Sequence, residues 1–471
     1  MRWQWSRLAF AIVIVFATIG SRAQQPASVP AAAAQLPSAP GEVITITPEG
    51  EAGYLNEPSI AVNPIHPSQV VAAYQVPATA AYSQNGGSTW KVATGTAPTD
   101  YRVSGDVSIT YDKHGNAILC YIAFDKLGTE NYWARGATRN GIFVRRSLDG
   151  GATWETQARA VIAQPTRPGI PFEDKPYITA DNTEGKYAGN LYVGWTEFRI
   201  DESVILFSRS TDGGQTWSAP IEISTHHGLP RDDNGAVEGF TGAVAADGTL
   251  YAVWADGDSI ALASSHDGGK TFSKSRSVIP TAPLYFAVQG LDRANGFPEI
   301  AIDPRHGRKG LLYVTWSDYR DGDIGVYCAT SDNGGKSWSK PVRVNSNPAH
   351  DGTDQFFQWL AVDPATGAAN IIFYDRRSDP ENHKTTVTLA RSTDGGRTFT
   401  NYAWTRDAFV PRRDDFLGDY IGIAALNGKV YGVWAEIRPP AKPKEPGAPP
   451  TQRRPQTIVR VGVADFGPHP H

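Results

Sequence analysis

Cysteine, histidine and concentrated positive charge are all scarce in this 471-residue chain, which holds two cysteines, ten histidines and a formal net charge of −4. Each shortage removes a class of function. Two cysteines make no disulfide framework, and Cys120 and Cys328 are read as separate buried thiols. The histidines are scattered, His226-His227 is the one adjacent pair, and no zinc-ligand spacing is present. No basic stripe points to nucleic acid. Long amphipathic helical patterns are missing too. The one long apolar run, Leu8 to Gly20, is short for a bilayer span. Arg2 and Arg7 flank its start and Ser21-Arg-Ala23 follows it, so residues 1–23 read as a secretory signal peptide, with an uncleaved anchor as the alternative. A secreted or periplasmic protein with no membrane span after signal cleavage is the expectation. Residues 24–41 read as an Ala/Pro-rich disordered linker and Pro439 to Pro455 as a long loop.

Glycine, proline and aromatic residues are plentiful, with 47 Gly, 34 Pro, 13 Trp, 19 Tyr and 18 Phe. That mixture suits many short strands joined by tight turns. One phrase recurs six times: Ser83-Gln-Asn-Gly-Gly-Ser-Thr-Trp90, Ser147-Leu-Asp-Gly-Gly-Ala-Thr-Trp154, Ser210-Thr-Asp-Gly-Gly-Gln-Thr-Trp217, Ser265-His-Asp-Gly-Gly-Lys-Thr-Phe272, Ser331-Asp-Asn-Gly-Gly-Lys-Ser-Trp338 and Ser392-Thr-Asp-Gly-Gly-Arg-Thr-Phe399. Its starts lie 64, 63, 55, 66 and 61 residues apart, the signature of one repeated supersecondary unit. Asp or Asn before Gly-Gly is turn chemistry, because the side chain accepts from nearby backbone N–H groups and glycine takes positive φ without strain. The closing aromatic opens the next strand and can bury its ring between sheets. These Asp residues could be catalytic or metal-binding, but chemistry repeated this regularly reads as a fold clip.

A second repeat counts seven. A strand ends at Asn63, Asp112, Asp181, Asp247, Asp303, Asp363 or Asn427, turns, and is followed by a hydrophobic run climbing to an aromatic. After the seventh comes a single strand, Thr457 to Val463, while Glu42 to Thr47 stands alone before the first unit. That lone strand can complete the last unit and close a ring, leaving no exposed sheet edge. The expected fold is therefore all-β: a seven-bladed β-propeller of four-stranded antiparallel blades over residues 42–471, its last blade closed by the N-terminal strand.

The six-fold phrase resembles the Asp box of the sialidase-like β-propellers, and the likeness covers nearly all of the chain after residue 41. It implies a secreted, exo-acting glycoside hydrolase on acidic or decorated glycans, with carbohydrate or glycoconjugate as partner; the alternative is a non-catalytic propeller binding glycan or protein. A monomer with no cofactor is expected. Sialidases use three arginines for the sugar carboxylate, a Tyr nucleophile supported by a Glu, and an Asp acid/base; their Tyr departs from the usual two-carboxylate scheme. This chain departs from the pattern in its blade count, since well-known sialidases have six. It also lacks the expected Arg-Ile-Pro signature, for which Arg167-Pro-Gly-Ile-Pro171 is a distant echo.

Strand direction places the loops entering each first strand and leaving each second strand on one face, opposite the Asp boxes. Leaving the second strands is an aromatic-x-acid-x-Arg pattern: Trp195-Thr-Glu-Phe-Arg199, Trp316-Ser-Asp-Tyr-Arg320, Phe373-Tyr-Asp-Arg-Arg377 and Trp434-Ala-Glu-Ile-Arg438. Arg199, Arg320, Arg376, Arg377 and Arg438, with Asp318 and Asp375, are the substrate-binding candidates, because guanidinium groups grip carboxylates through two parallel bonds. The competing reading has each acid–Arg pair closing its own blade. Entering the first strands are Glu57, Asp106, Glu173-Asp174-Lys175, Glu238, Glu299 and Asp419-Tyr420. On the resemblance, Tyr420 with Asp419 is the candidate nucleophile and Asp174 or Glu173 the candidate acid/base; Tyr420 also reads as a packing residue. Glu57, Asp106, Glu238 and Glu299 could ring the channel mouth around Ca²⁺, but no compact ligand loop supports a metal.

Overall fold

The computed structural model describes residues 35–48, 55–75, 77–96, 101–125, 139–165, 171–413, 416–438 and 456–467, without the side chains of Arg438 and Gln456. The segments read as signal peptide and as the 439–455 loop lie outside the described residues, as do Arg167 to Gly169 and Asp414-Asp415.

Seven four-stranded antiparallel sheets form the ring, and no helix occurs among the described residues. The innermost strands are Asn56–Val62, Val103–Tyr111, Phe172–Ala180, Val237–Val244, Glu299–Asp303, Gln355–Val362 and Gly422–Leu426. Each touches the next, and the seventh touches the first, so the ring closes. Three strands of blade 7 come from the C-terminal part: Gly422–Leu426, Lys429–Arg438 and Gln456–Asp465. The fourth is Gly41–Thr45, paired antiparallel to the last with Gly41 opposite Ala464 and Thr45 opposite Arg460. Close approach demands glycine here, since a Cβ on Gly41 would lie 1.9 Å from the Val463 carbonyl oxygen. Just before it, Pro37 O accepts from Ala403 N and Ala39 N donates to Ala403 O, at 2.8 and 2.9 Å. The last residues of the segment read as linker are thus bonded to blade 6.

The core is distributed between the blades, with seven apolar clusters, each joining neighbouring sheets. The second strands supply Trp195, Trp254, Trp316 and Trp434, all fully buried. At roughly 3–5 kcal/mol for truncating a buried Trp, these rings dominate the packing. The Asp-box aromatics Trp90, Trp154, Trp217, Phe272, Trp338 and Phe399 pack against six of the seven clusters.

The Asp boxes are turn clips. Ser147 Oγ donates to Asp149 Oδ1 and accepts from Gly151 N, both at 2.8 Å. Asp149 Oδ1 takes Thr153 N at 2.9 Å and Oδ2 takes the Thr153 hydroxyl at 2.6 Å. The same four bonds recur around Asp212, Asp267 and Asp394. Though burial works against it, donation from Thr271 and Thr398 brings Asp267 and Asp394 down to about 2. Cys120 and Cys328 are buried free thiols, and burial pushes Cys328 up to about 12.

Candidate functional site

A register slip shapes the face opposite the Asp boxes. Five inner strands break register against their neighbours, between Asn56 and Ser59, Gly105 and Ser108, Asp174 and Tyr177, Glu238 and Thr241, and Phe356 and Trp359. At each bulge one residue is left-handed: Glu57, Asp106, Lys175, Gly239 and Phe357, with φ of 48°, 46°, 45°, 76° and 51°. Four of these are not glycine, and each such conformation costs roughly 1–2 kcal/mol. Bulges re-aim side chains and gather next to sites. Here Glu57, Asp106 and Lys175 line a cleft of about 490 Å³ at the channel mouth, within the range of small-molecule sites.

Carboxyl groups line up along one wall. Asp106 is close enough to both Glu57 and Asp174 for its charge to act on each. Gln75 ties the row to the backbone, its Nε2 donating to Asn56 Oδ1 at 3.0 Å and to Glu57 Oε2, and its Oε1 accepting from Asp106 N at 2.5 Å. Lys175 N donates to Asp106 Oδ2 at 3.1 Å and to Asp174 Oδ1 at 3.0 Å. Burial, and then the negative charge of Asp106, pushes Glu57 and Asp174 well above the usual carboxylate range.

The row adjoins an ion-paired cluster, Asp419 N donating to Glu57 Oε1 at 3.1 Å. Arg293 grips Asp419 through Nε–Oδ1 at 2.9 Å and through Nη2–Oδ2, while its Nη1 donates to Asp232 Oδ2. The Tyr285 hydroxyl contacts Asp232 Oδ1 and donates to Glu238 Oε2 at 2.6 Å. Burial, then Asp232, holds Glu238 well above the ordinary range. Tyr285 and Arg293 belong to a hairpin, Tyr285–Phe286 with Ala294–Asn295, inserted between blades 4 and 5.

The floor is aromatic. Lys175 Nζ sits 4.1 Å from the Tyr420 ring centre, 5.0 Å from Phe297 and 5.7 Å from Trp359, a cation–π seat on three rings. Tyr420 donates its hydroxyl to Val107 O at 3.2 Å. Burial, then Glu57 and the other nearby carboxylates, holds the phenol far above its usual range, so this ring is packed and protonated.

Of the catalytic candidates singled out from the sequence, Asp174, Asp419 and Tyr420 meet in the cleft, joined there by Glu57, Asp106 and Glu238. Glu173 lies on the opposite side of its strand, fully buried, accepting from Trp195 Nε1 and Gln164 Nε2 at 2.6 Å each. The arginines lie within blades. Arg199 pairs with Glu197, Glu202 and Glu222 at 2.7, 2.6 and 3.1 Å. Arg320 pairs with Asp318 at 2.5 Å and stacks on Trp316 and Tyr327. Arg377 pairs with Asp375 at 2.6 Å and donates to Ser346 and Asn401, both at 2.8 Å. Arg376 is fully buried, donating to Thr385 Oγ1 and Asn382 O at 3.1 and 2.7 Å; burial brings it down to about 10. The acids of these pairs are spent as well: Asp318 accepts from Trp316 Nε1 at 2.9 Å and Asp375 from Thr388 Oγ1 at 2.7 Å. The side chain of Arg438 lies outside the described residues. Among the described residues no group of three His, Cys, Asp or Glu side chains could hold a metal ion.

Asp232, Tyr285 and Arg293 escaped sequence reasoning. They sit in connections between blades, where nothing repeats. The one cue was length, since the Asp boxes starting at Ser265 and Ser331 flank the hairpin and are the most widely spaced pair.

The family model for the BNR/Asp-box repeat matches residues 208–219, within blade 3. The match takes in one copy of the recurring phrase, Ser210 to Trp217. No curated protein matches this propeller. Among solved structures it is similar to a Hadza microbial sialidase, with 17% identity over 84% of this chain and 73% of that one and a TM-score of 0.48. A leech intramolecular trans-sialidase is similar at 15% identity, covering 77% of this chain and 70% of that one, TM-score 0.48. An α-L-arabinofuranosidase from Fusarium graminearum is similar at 16% identity, covering 77% and 94%, TM-score 0.47. Among the described residues no helix is long and apolar enough to cross a membrane.

Proposed function

We propose that this Asp-box propeller is a glycoside hydrolase whose reaction centre is the cleft between Asp174 and Asp419. The observation that carries this reading is the contrast between two carboxyls of one cleft. Asp174 is buried and biased toward its protonated form by burial and by Asp106, while Asp419 is ion-paired to Arg293. A carboxyl biased toward its neutral form, in the same cleft as one held by an arginine, divides general-acid from base or charge-stabilising work. Asp174 would protonate the glycosidic oxygen, so that the aglycone leaves as an alcohol. Asp419 would stabilise the positive charge growing on the sugar or accept a proton from attacking water. Tyr420 serves as floor, since its hydroxyl is bonded to the backbone.

Release of aryl alcohol from a panel of aryl glycosides tests the reading. Turnover by the wild-type chain, with kcat lowered about 10²–10⁴-fold in Asp174→Asn, is the expected result. Turnover unaffected in both Asp174→Asn and Asp419→Asn would sink the assignment. A second reading is a non-catalytic glycan-binding propeller using the same cleft. It is favoured by the placement of Arg199, Arg320, Arg376 and Arg377 in blade-internal bonds. Saturable binding of sugars without turnover of any would select it.

A further inference from the structure

The positive charge of the cleft is already committed to its own walls. Three cationic side chains line it: Lys175, Arg293 and Arg413. Every nitrogen of the Arg293 fork donates to a carboxylate, Nε and Nη2 to Asp419 and Nη1 to Asp232. Lys175 is seated over Tyr420, Phe297 and Trp359, with Glu238 and Glu299 close enough to feel its charge. Arg413 is exposed, at the rim, where water screens it. A sugar carboxylate entering here would find Arg293 fully engaged and Lys175 held over three rings. It would instead meet a lining in which seven carboxyl groups outnumber three cations; Glu57, Asp174 and Glu238 are already biased toward their neutral forms there, and a further negative charge in such a place is rejected as effectively as by a missing contact.

The remaining wall is apolar. Val103, Ile122 and Phe124 line it from the first two strands of blade 2, and Phe416 from the loop before blade 7. One apolar wall and one wall of hydroxyl-bonding carboxyls match the two sides of a sugar ring, its C–H face and its O–H edge. We infer that the cleft takes an uncharged sugar, seated against Phe124 and Phe416 with its hydroxyls on the carboxyl row, and excludes sugars that carry a carboxylate. This rests on the cleft being the glycoside site, and it departs from the acidic substrate that likeness to sialidases implies.

The test is equilibrium binding, by calorimetry and ligand-observed NMR, with turnover read separately. The full chain meets methyl glycosides of glucose, galactose and arabinose in one arm. Glucuronic, galacturonic and N-acetylneuraminic acids form the other arm. Binding of at least one neutral sugar, with every acid at least about tenfold weaker, is expected; tenfold corresponds to about 1.4 kcal/mol. An acid binding as tightly as the best neutral sugar overturns the inference, and so does an absence of binding in both arms. Neutral binding without turnover of its aryl glycoside supports the inference and removes the hydrolase reading. Asp232→Asn frees one edge of Arg293, and with the fold intact by circular dichroism it should raise affinity for the acids about tenfold. No gain in that variant would overturn the charge-balance argument.

Discussion

Glu173 and Glu197 stand directly opposite one another on the first two strands of blade 3, where like charges are destabilising. Glu173 is fully buried and Glu197 is 6% exposed, so neither charge is well hydrated. Burial, then Glu197, lifts Glu173 to about 8. The folded state therefore holds a proton that the unfolded chain releases near its ordinary 4.5. Because the folded state binds more protons across that window, stability falls as pH rises from about 4.5 to about 8. Glu173→Gln should remove that slope, leaving a variant whose Tm at pH 8 matches or exceeds wild type. Parallel Tm profiles for the two proteins across pH 5–8 would refute the proton-sharing pair.

Asp106 raises both of its neighbours through its charge. In Asp106→Asn that charge is gone, so Asp174 gives up its proton at lower pH. If Asp174 is the acid, the alkaline limb of kcat/KM against pH moves toward acid in the variant. An unmoved limb, with the variant folded, would show that another group donates the proton.

Arg377 separates the clamp from the blade brace. Its side chain spans Asp375, Ser346 and Asn401. Removing one member of a largely buried ion pair costs about 3–5 kcal/mol. Arg377→Ala should lower Tm by several degrees while sugar affinity, measured well below Tm, stays put. Weakened binding at unchanged Tm would restore this arginine to the site.

The Asp-box clip tolerates an amide, because Asn85 and Asn333 already hold two of the six turns through the same oxygen. Asp394→Asn should cost less than about 1 kcal/mol, whereas Asp394→Ala loses the carbonyl-type acceptor altogether and costs about 1–3 kcal/mol. Denaturant melts of the two variants check the ranking, and equal losses would contradict it.

Blade number was legible because its two signals are local. Asp112 caps its turn by accepting from His114 N and Asn116 N, and Asn63, Asp181, Asp247, Asp303 and Asp363 do comparable work. The aromatic-x-acid-x-Arg pattern was equally legible as a repeat, and its repetition was the sign of a brace: Trp316 Nε1 and Arg320 meet on Asp318, and Trp434 Nε1 meets Glu436. The cleft was harder to read. Which carboxyl faces the axis depends on a bulge, and a bulge depends on pairing with a distant strand. Glu173 and Asp174, adjacent in sequence, face opposite sides of their sheet because strand residues alternate, and only the pairing decides which of the two meets the cleft. Arg293 is harder still, because its partners Asp232 and Asp419 lie 61 and 126 residues away.

Closing blade 7 with Gly41–Thr45 has a consequence in time. Those residues are synthesised some four hundred residues before their partner Gln456–Asp465. The early strand must wait, unpaired, while some four hundred residues are added. Loop-closure entropy grows only logarithmically with chain length, about 0.6 kcal/mol per doubling, so joining strands this far apart costs about 4 kcal/mol more than joining neighbours would. There is a kinetic expense as well: until Gln456–Asp465 arrives, Lys429–Arg438 in blade 7 and the early strand Gly41–Thr45 both present open edges, and a second unfinished chain could take the waiting strand's place.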